Sequence, residues 1–429
     1  MRAVAEPRAT AAVPSRRRDR ATLSRVTQSG ARLFVVLGAV TAIGPAAMDV
    51  YLPGLPALAD DFGASPSAAQ LTLTTYVIGL SLGQLLGGTT SDVRGRRRPL
   101  VAGMAVFTVA TFACSLAPSL WALAALRLVQ GAAAAVGVAI GRAVVRDLHV
   151  GAAGARYLSR LMLVVGLAPI VAPILGGQLL RFTSWRGVFV ALSLFGLALT
   201  AVSARFLPET LPRERRRAAG LAATTRAFGL LLRDRRLVGF VLVVGLGGGA
   251  MLGYIAGSSF VLQEVYGASP QLYGVLFAVN ALFLVAGAQI NAHLLTTRSP
   301  HALLRVGVGT MVVAGVGLLA IVSLPQLGLA AVMVPFMLLM LSWSFIQANA
   351  LALALVDHPD MAGTAASLLG VGQYAFGALM APLVGLGGEG TAVPMAIVIM
   401  ICGIGAAVAL EGLASGTPRR VVVRSETPT

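Results

Sequence analysis

The sequence contains no lysine, so all 33 of its basic side chains are arginines. A P-loop nucleotide site needs a lysine on the phosphates, and this chain therefore cannot itself be an ATP-driven pump. Charged residues make up only 11% of the 429 residues, against roughly 25% in soluble proteins. Hydrophobic residues make up 57%, so most of the chain must lie in lipid. The two cysteines, Cys114 and Cys402, fall far apart inside apolar segments and are predicted to be buried thiols.

Apolar stretches of membrane-spanning length recur along the chain. About 20 apolar residues cross a bilayer as a helix, and roughly twelve such stretches are present. They lie near 33–57, 68–90, 99–117, 119–141, 158–181, 186–207, 237–262, 271–294, 303–323, 327–355, 363–386 and 393–414. The longest polar interruption, 208–236, divides them six and six. The sequence therefore predicts an all-α integral membrane protein of twelve transmembrane helices in two six-helix bundles.

The arginines are unevenly distributed between the connections. They cluster in 16–25, 94–98, 142–160, 205–236 and 419–424, whereas the other connections carry acids or no charge, apart from Arg181 and Arg186. Arginine-rich loops stay on the cytoplasmic side and can contact anionic lipids. We predict a multi-pass protein of the cytoplasmic (inner) membrane, with both termini in the cytoplasm and no nucleic-acid partner. The predicted divisions are a cytoplasmic tail over 1–30, a bundle over 31–207, a cytoplasmic linker over 208–236, a bundle over 237–415 and a cytoplasmic tail over 416–429.

A short segment occurs twice. Phe62-Gly-Ala-Ser-Pro66 reappears as Tyr266-Gly-Ala-Ser-Pro270, each time at the start of the second helix of its half. A serine N-cap followed by proline in the first turn is a helix start signal. At the same offset Asp92 meets Thr296, so the second half lacks that acid. Together with the six-and-six division, the repeat predicts two pseudo-symmetric bundles.

Asp49 is the unusual residue of the first predicted span. A carboxylate near the middle of a transmembrane helix costs about 2.5–3.5 kcal/mol on insertion scales. Pro53 and Pro56 follow it and loosen the end of the helix. Asp49 is therefore a candidate proton or cation site. The alternative is a carboxylate near the outer interface, solvated by water above Pro53.

Arg127, in the fourth predicted span, is the candidate partner of Asp49. It lies too deep to reach the interface and cannot lose its charge, so it must face a carboxylate, carbonyls or water. Gly131 follows it and allows a neighbouring helix to approach closely. The alternative is a purely structural arginine bonded to carbonyls.

Two further groups of residues are candidates for a transport pathway. The fifth span combines helix-bending prolines with glycines that permit close packing, although an ordinary kinked packing helix has the same composition. These residues are Gly166, Pro169, Pro173, Gly176 and Gly177. Polar and aromatic side chains in other spans are candidates for a substrate cavity, the alternative being helix–helix hydrogen bonds or lipid-facing rings. They are Tyr51, Tyr76, Gln130, Tyr254, Asn280, Trp343, Gln347, Gln373 and Tyr374.

The turn between the second and third spans carries the pattern G-x-x-x-D-x-x-G-R-R-R over residues 88–98. Such a short, densely charged turn cannot cross the bilayer and must stay on the cytoplasmic side. Its spacing resembles the loop between the second and third helices of the major facilitator superfamily. With the motifs above, and with the 141–147 and 185–186 segments, the region from about 35 to 415 resembles that superfamily's bicyclomycin/chloramphenicol-resistance branch, which consists of twelve-helix drug:proton antiporters.

This resemblance implies the major facilitator fold and specific roles. Asp49 and Arg127 are implied to serve proton and substrate coupling, and Asp92 is expected to accept hydrogen bonds from Arg146 in a cytoplasmic gate. The implied gate residues are Gly88, Asp92, Gly95, Arg96 and Arg146. Some relatives carry a second acid at the position of Thr41, so the proton stoichiometry stays open.

The resemblance also implies a function. It predicts export of lipophilic drugs, chloramphenicol- or bicyclomycin-like, in exchange for protons by alternating access. The proton gradient would supply the energy, with no cofactor or metal, and a monomer is expected. A symporter or facilitator for a small metabolite is the alternative, and the direction of substrate-induced proton movement distinguishes the two. A membrane-embedded enzyme is disfavoured because the sequence shows no nucleophile–base pair and no metal-ligand spacing.

Overall fold

The structure is a computed structural model, and it describes residues 16–148, 151–212, 216, 228–358, 361–386, 388 and 390–414. The predicted C-terminal tail over 416–429, residues 1–15 of the predicted N-terminal tail and residues 213–215 and 217–227 of the predicted linker lie outside the described residues.

The described residues form helices and turns, with no strand among them. The first half contains α1 (Arg16–Asp49), α2 (Leu55–Asp61), α3 (Pro66–Arg94), α4 (Arg97–Ser115), α5 (Leu120–Leu148), α6 (Gly151–Leu179) and α7 (Trp185–Phe206). The second half contains α8 (Arg235–Phe260), α9 (Pro270–Leu294), α10 (Pro300–Val322), α11 (Gly328–Asp357), α12 (Ala362–Met380) and α13 (Val393–Ala409).

Twelve of these helices have the length of a membrane span. Eleven of the described segments are both long and apolar enough to cross a bilayer. Helix α3 has 29 residues and is the twelfth; at 1.5 Å per residue it is about 43 Å long. The short α2 extends the first span after a break. The predicted all-α architecture of two six-helix bundles is confirmed.

The first span differs from the prediction at both ends. Helix α1 begins at Arg16, within the predicted tail, and ends at Asp49. A 3-10 turn over Leu52–Gly54 separates it from α2. The physical reason for the break is Pro53, which lacks the N–H that would bind the Asp49 carbonyl in a continuous helix. Asp49 is thus the last residue of α1, next to an irregular backbone.

The repeated segment has the same local structure in both halves. The Ser65 side chain accepts a hydrogen bond from the Ala68 N–H at the start of α3, and Ser269 does the same for Leu272 in α9. The glycine before each cap, Gly63 or Gly267, has a φ of 56° or 68°. In both halves, therefore, the backbone passes through a residue in the left-handed conformation, which favours glycine, before the second helix begins.

The bundles have two chemically different ends. The arginine-rich end contains the α3–α4 and α9–α10 connections and the chain after α7. The arginine-poor end contains the α1–α3, α6–α7 and α8–α9 connections. Arg186, an exception to the charge bias, binds the Asp61 carboxylate at the arginine-poor end, so its charge is locally balanced.

The two bundles are joined at the arginine-poor end. Helix α6 packs along α9, and a Cβ added at Gly177 would lie 2.6 Å from the Pro270 carbonyl oxygen. Such close approach of two backbones requires glycine. Four side chains donate hydrogen bonds across the interface here: Ser259 to Leu52, Gln263 to Pro53, Gln271 to Gly177 and Ser67 to Pro382. The structure is therefore a conformation closed at this end.

Candidate functional site

Asp49 is buried at the point where α1 ends. Its exposed fraction is 2%, and its Oδ1 atom has no hydrogen-bond donor in the described part of the chain. A buried polar atom without a partner is costly and is retained mainly where it has a role. The interfacial alternative, a carboxylate surrounded by water, does not describe this side chain.

Arg127 lies fully buried on α5, at 0% exposure. Its Nη1 atom donates to Gln130 Oε1 at 2.6 Å and to the Ala47 carbonyl at 3.2 Å. The guanidinium carbon stacks 4.3 Å from the centre of the Tyr51 ring and 4.1 Å from that of Tyr76. Cation–π contacts of this kind are strongest where water is excluded. The aromatic rings thus hold the arginine in place without neutralising it.

The two buried charges are near each other but are not paired. Asp49 and Arg127 interact electrostatically through space. Among the described residues, however, neither of these two side chains forms an ion pair. The Nε and Nη2 atoms of Arg127 also have no acceptor among the described residues. Gln130 is itself held by Thr111, to which it donates at 2.8 Å. Tyr51, Tyr76 and Gln130 therefore converge on Arg127, and the site keeps unused donors and an unused acceptor.

The predicted cavity residues of the second bundle divide into separate groups. Asn280 donates to the Tyr254 hydroxyl at 2.8 Å, and both are fully buried. The Tyr254 phenol is within electrostatic range of Asp49 of the first bundle. Trp343 is buried against Gly247, where an added Cβ would lie 3.0 Å from its ring. Trp343 is thus a packing residue in this conformation.

A second group lies nearer the arginine-rich end. Gln347 is exposed and donates to Gln373 at 3.4 Å. Tyr374 lies on α12 within hydrogen-bonding range of Gln84 on α3 and within electrostatic range of Tyr76. These side chains bring amides and phenols from the two bundles together.

The charged turn after α3 is organised by Arg96. Its Nη1 atom donates to Asp92 Oδ1 at 2.6 Å and to Ser91 Oγ at 2.7 Å, and its Nε atom donates to Asp147 Oδ2 at 2.9 Å. Burial alone would lower the pKa of Arg96, but the hydrogen bonds to Asp147 and Asp92 outweigh it and raise that pKa above its usual value. Arg96 thus ties the end of α3 to the end of α5.

Glu209, just after α7, completes this cluster. Its carboxylate accepts from the backbone N–H groups of Arg96 at 2.8 Å, Leu211 at 3.1 Å and Arg97 at 3.3 Å. Partial burial alone would raise the pKa of Glu209, but these N–H donors, with the nearby Arg216, lower it below its ordinary value. We call Asp92, Arg96, Asp147 and Glu209 the Arg96 cluster.

The backbone conformation and surroundings of residue 95 explain why it is a glycine. Its φ is 90°, a conformation that side chains rarely adopt. A Cβ there would also collide with the Glu209 carboxylate and lie 2.7 Å from Arg216 Nη2. Gly88, by contrast, has open space around it, with nothing within 4 Å of an added Cβ. Close approach therefore accounts for Gly95 but not for Gly88.

The expected gate pairing differs in the structure. Asp92 accepts from Arg96, whereas the Arg146 side chain is exposed. The neighbouring Asp147 points toward Arg96 instead, since consecutive helical residues face different directions. The Asp92 side chain is 50% exposed. The expectation that Arg146 donates to Asp92 is therefore not met in this conformation.

Helix α6 contains two prolines and packs closely against helices of both bundles. Both prolines, Pro169 and Pro173, lie inside it. A Cβ at Gly176 would collide with the Val50 carbonyl, and the Pro173 carbonyl oxygen lies 2.6 Å from the position of an added Cβ on Gly274 of α9. Gly166 has nothing within 4 Å of an added Cβ. The second half of the helix is therefore packed tightly between the bundles.

Sequence reasoning missed several of these residues. Asp147 lies in the 141–147 segment, where the resemblance assigns the gate role to the neighbouring Arg146. Glu209 lies among arginines in the predicted linker and carries no predicted role. Its place directly after the sixth span is the signal that could have identified it, because an acid at the arginine-rich end is a natural acceptor for a basic turn.

The chain resembles transporters of known family. A family model for the Major Facilitator Superfamily matches residues 37–382. The chain is 35% identical over 383 residues to the uncharacterized MFS-type transporter YdgK of Bacillus subtilis, covering 89% of this chain and 95% of that one. It is 30% identical over 376 residues to a bicyclomycin resistance protein homolog of Haemophilus influenzae, covering 87% and 94%. It is 30% identical over 281 residues to a chloramphenicol resistance protein of Pseudomonas aeruginosa, covering 65% of each.

Solved transporter structures share the fold. The nucleoside transporter NupG matches with a TM-score of 0.74 at 11% identity, covering 90% of this chain and 98% of that one. A D-xylose–proton symporter matches with a TM-score of 0.72 at 13% identity, covering 89% and 97%. The fold is thus that of membrane transporters rather than of enzymes. Given the family model, the relatives and the two-bundle architecture, the chain belongs to the Major Facilitator Superfamily.

Proposed function

We propose that this chain exports lipophilic drugs in exchange for protons by alternating access of its two bundles. The observation that carries the proposal is the buried, unpaired carboxylate of Asp49 beside the buried, unneutralised Arg127. The drug class is supported by the relatives named for resistance to bicyclomycin and chloramphenicol.

The coupling follows from two opposed effects on one carboxyl group. Apolar surroundings disfavour the ionised form of Asp49, and a nearby guanidinium favours it. Arg127 is fixed to α5 and to the rings of Tyr51 and Tyr76. Both charges lie in the first bundle, and the Tyr254 phenol of the second bundle lies within electrostatic range of Asp49. Rocking of the second bundle changes the surroundings of the carboxylate, so proton gain and loss depend on the arrangement of the bundles.

The same proposal assigns the sides of the membrane and the substrate. The arginine-rich end lies in the cytoplasm, as do both termini, because arginine-rich connections are retained there. The conformation described above is then closed to the outside. Between the bundles, Gln84, Tyr76 and Tyr374 offer an amide and aromatic faces, and the Arg142 cation, within electrostatic range of Tyr374, disfavours cationic molecules there. Such a surface suits neutral lipophilic molecules.

The decisive experiment uses Asp49→Asn in proteoliposomes with an imposed proton gradient. We expect proton-driven export of chloramphenicol or of a lipophilic dye to be abolished, with normal insertion into the membrane. Asp60→Asn is the matched control, because Asp60 is an exposed acid close in sequence. Unchanged export by Asp49→Asn refutes the proposal.

Symport or facilitated diffusion of a small metabolite gives a different result. In vesicles, antiport moves protons in the direction opposite to the added substrate, and symport moves them in the same direction. Proton movement in the same direction as the drug overturns the antiport assignment.

A further inference from the structure

We propose that Ser259 and Gln263 form a latch that holds the arginine-poor end closed by binding the chain break after Asp49. This latch rests on the proposed function, in which Asp49 carries the proton, because it would connect that carboxyl group to the opening of the arginine-poor end. The donors belong to the second bundle and the acceptors to the first.

The acceptors are backbone carbonyls freed by proline. In a continuous helix the Leu52 carbonyl would bind the N–H of residue 56, but that residue is Pro56 and has none. The same proline removes the 3-10 donor for the Pro53 carbonyl. Leu52 is buried and its carbonyl binds only the Leu55 N–H within its own segment. A carbonyl oxygen has two lone pairs, so each can take a further donor.

The second bundle supplies these donors. The Ser259 hydroxyl, fully buried at the end of α8, donates to the Leu52 carbonyl at 2.5 Å. Gln263 Nε2 donates to the Pro53 carbonyl at 3.2 Å and to Ser259 Oγ at 2.8 Å. Gln263 thus supports the serine as well as binding the break. Its turn is a single π-helical one, Val261–Val265, a local irregularity that is frequent at functional positions.

The latch lies one turn beyond the proton site. Leu52 follows Asp49, the last residue of α1, by three residues and lies in the 3-10 turn that begins where α1 ends. A shift of Asp49 toward or away from Arg127 therefore moves the latch acceptors directly.

Accessibility of the closed end tests the latch without any drug or gradient. Gln70 is buried at this end, and its Oε1 atom lies 2.8 Å from the position of an added Cβ on Gly385 of the second bundle. We introduce Gln70→Cys and measure labelling by a membrane-impermeant maleimide. The native Cys114 and Cys402 are buried, and protein without the introduced cysteine gives the blank.

We expect Ser259→Ala to raise the labelling rate about fivefold, the equilibrium shift for a buried hydrogen bond of ordinary net strength. Gln263→Leu should act in the same direction. The control is Ser258→Ala, because Ser258 is equally buried but bonds Tyr273 within its own bundle at 3.1 Å. An unchanged labelling rate in both Ser259→Ala and Gln263→Leu, in folded protein, overturns the latch. So does an equal increase in Ser258→Ala.

A double-mutant comparison tests the connection to Asp49. Asp49→Asn should change the labelling rate in the protein with an intact latch and should change it less when Ser259→Ala is also present. Additive effects of the two substitutions overturn the connection. Because labelling needs no transport, a protein that fails to export drugs still gives a clear answer on the latch.

Discussion

Replacing Glu209 by glutamine should loosen the arginine-rich end of the first bundle. The Glu209 carboxylate accepts three backbone N–H groups, from Arg96, Arg97 and Leu211. It therefore connects the chain after α7 to the turn between α3 and α4. The Glu209→Gln side chain has almost the same shape, but it keeps only one oxygen and no charge.

The size of the effect follows from these bonds. A hydrogen bond to a charged group contributes about 1.5–3 kcal/mol when it is shielded from water. The Glu209 side chain is 33% exposed, so solvent replaces part of each bond, and the glutamine oxygen keeps at least one of them. We expect a net loss of about 1–2 kcal/mol. Thermal unfolding in nanodiscs, followed by tryptophan fluorescence, should show a Tm lower by a few degrees.

The pH dependence of this difference gives a second readout. The folded protein holds the pKa of Glu209 below its ordinary value of 4.5. The contribution of the carboxylate is therefore complete above pH 4.5 and is lost as the pH falls through the lower, folded pKa. The Tm difference between the natural protein and Glu209→Gln should be constant near neutrality and shrink in acid.

The matched control is Asp60→Asn, which removes an exposed acid at the opposite end. Its Tm should stay unchanged. If Glu209→Gln also unfolds at the natural temperature near neutral pH, the three N–H contacts do not stabilise the fold and the reasoning is wrong.

Two further substitutions test other parts of the structure. Gly95→Ala should cost about 1–3 kcal/mol, because Gly95 has a φ of 90° and an added Cβ meets the Glu209 carboxylate; a Tm equal to that of the natural protein would contradict this geometry. Arg127→Met should keep or raise the Tm while abolishing proton-driven export, because an apolar chain replaces a buried cation with two unpartnered nitrogens. A large loss of stability would instead identify Arg127 as a structural residue.

Structural features that depend on residues close together in the sequence could be predicted. The Ser65–Pro66 and Ser269–Pro270 start signals are local, and both caps form as predicted. In each case the relevant atoms lie within a few residues of one another. The sequence singled out Asp49 but left open whether it is buried or solvated at the outer interface, and the structure places it buried.

The partners of the charged turn could not be predicted, because they depend on helix rotation. Arg146 and Asp147 are consecutive, and a rotation of α5 by about 100°, one residue, decides which of them faces the turn. The turn binds Asp147, and Arg146 is exposed. The contact of Glu209 joins positions more than a hundred residues apart. Hydrophobic periodicity predicts helices but does not predict a contact between residues so far apart in the sequence.

The two halves place an acid at the same position but pair it with different arginines. Asp147 and Asp357 both lie in the last turn of the fourth long helix of their half. Asp147 binds Arg96 of the charged turn, but the second half has Thr296 where the first has Asp92, and Asp357 lies 3.1 Å from Arg236 Nε of α8 instead. That contact lacks the alignment of a hydrogen bond. The Arg96 guanidinium of the first half is therefore bonded to two carboxylates, of which Asp92 is half exposed, whereas Asp357 of the second half lies between two helices.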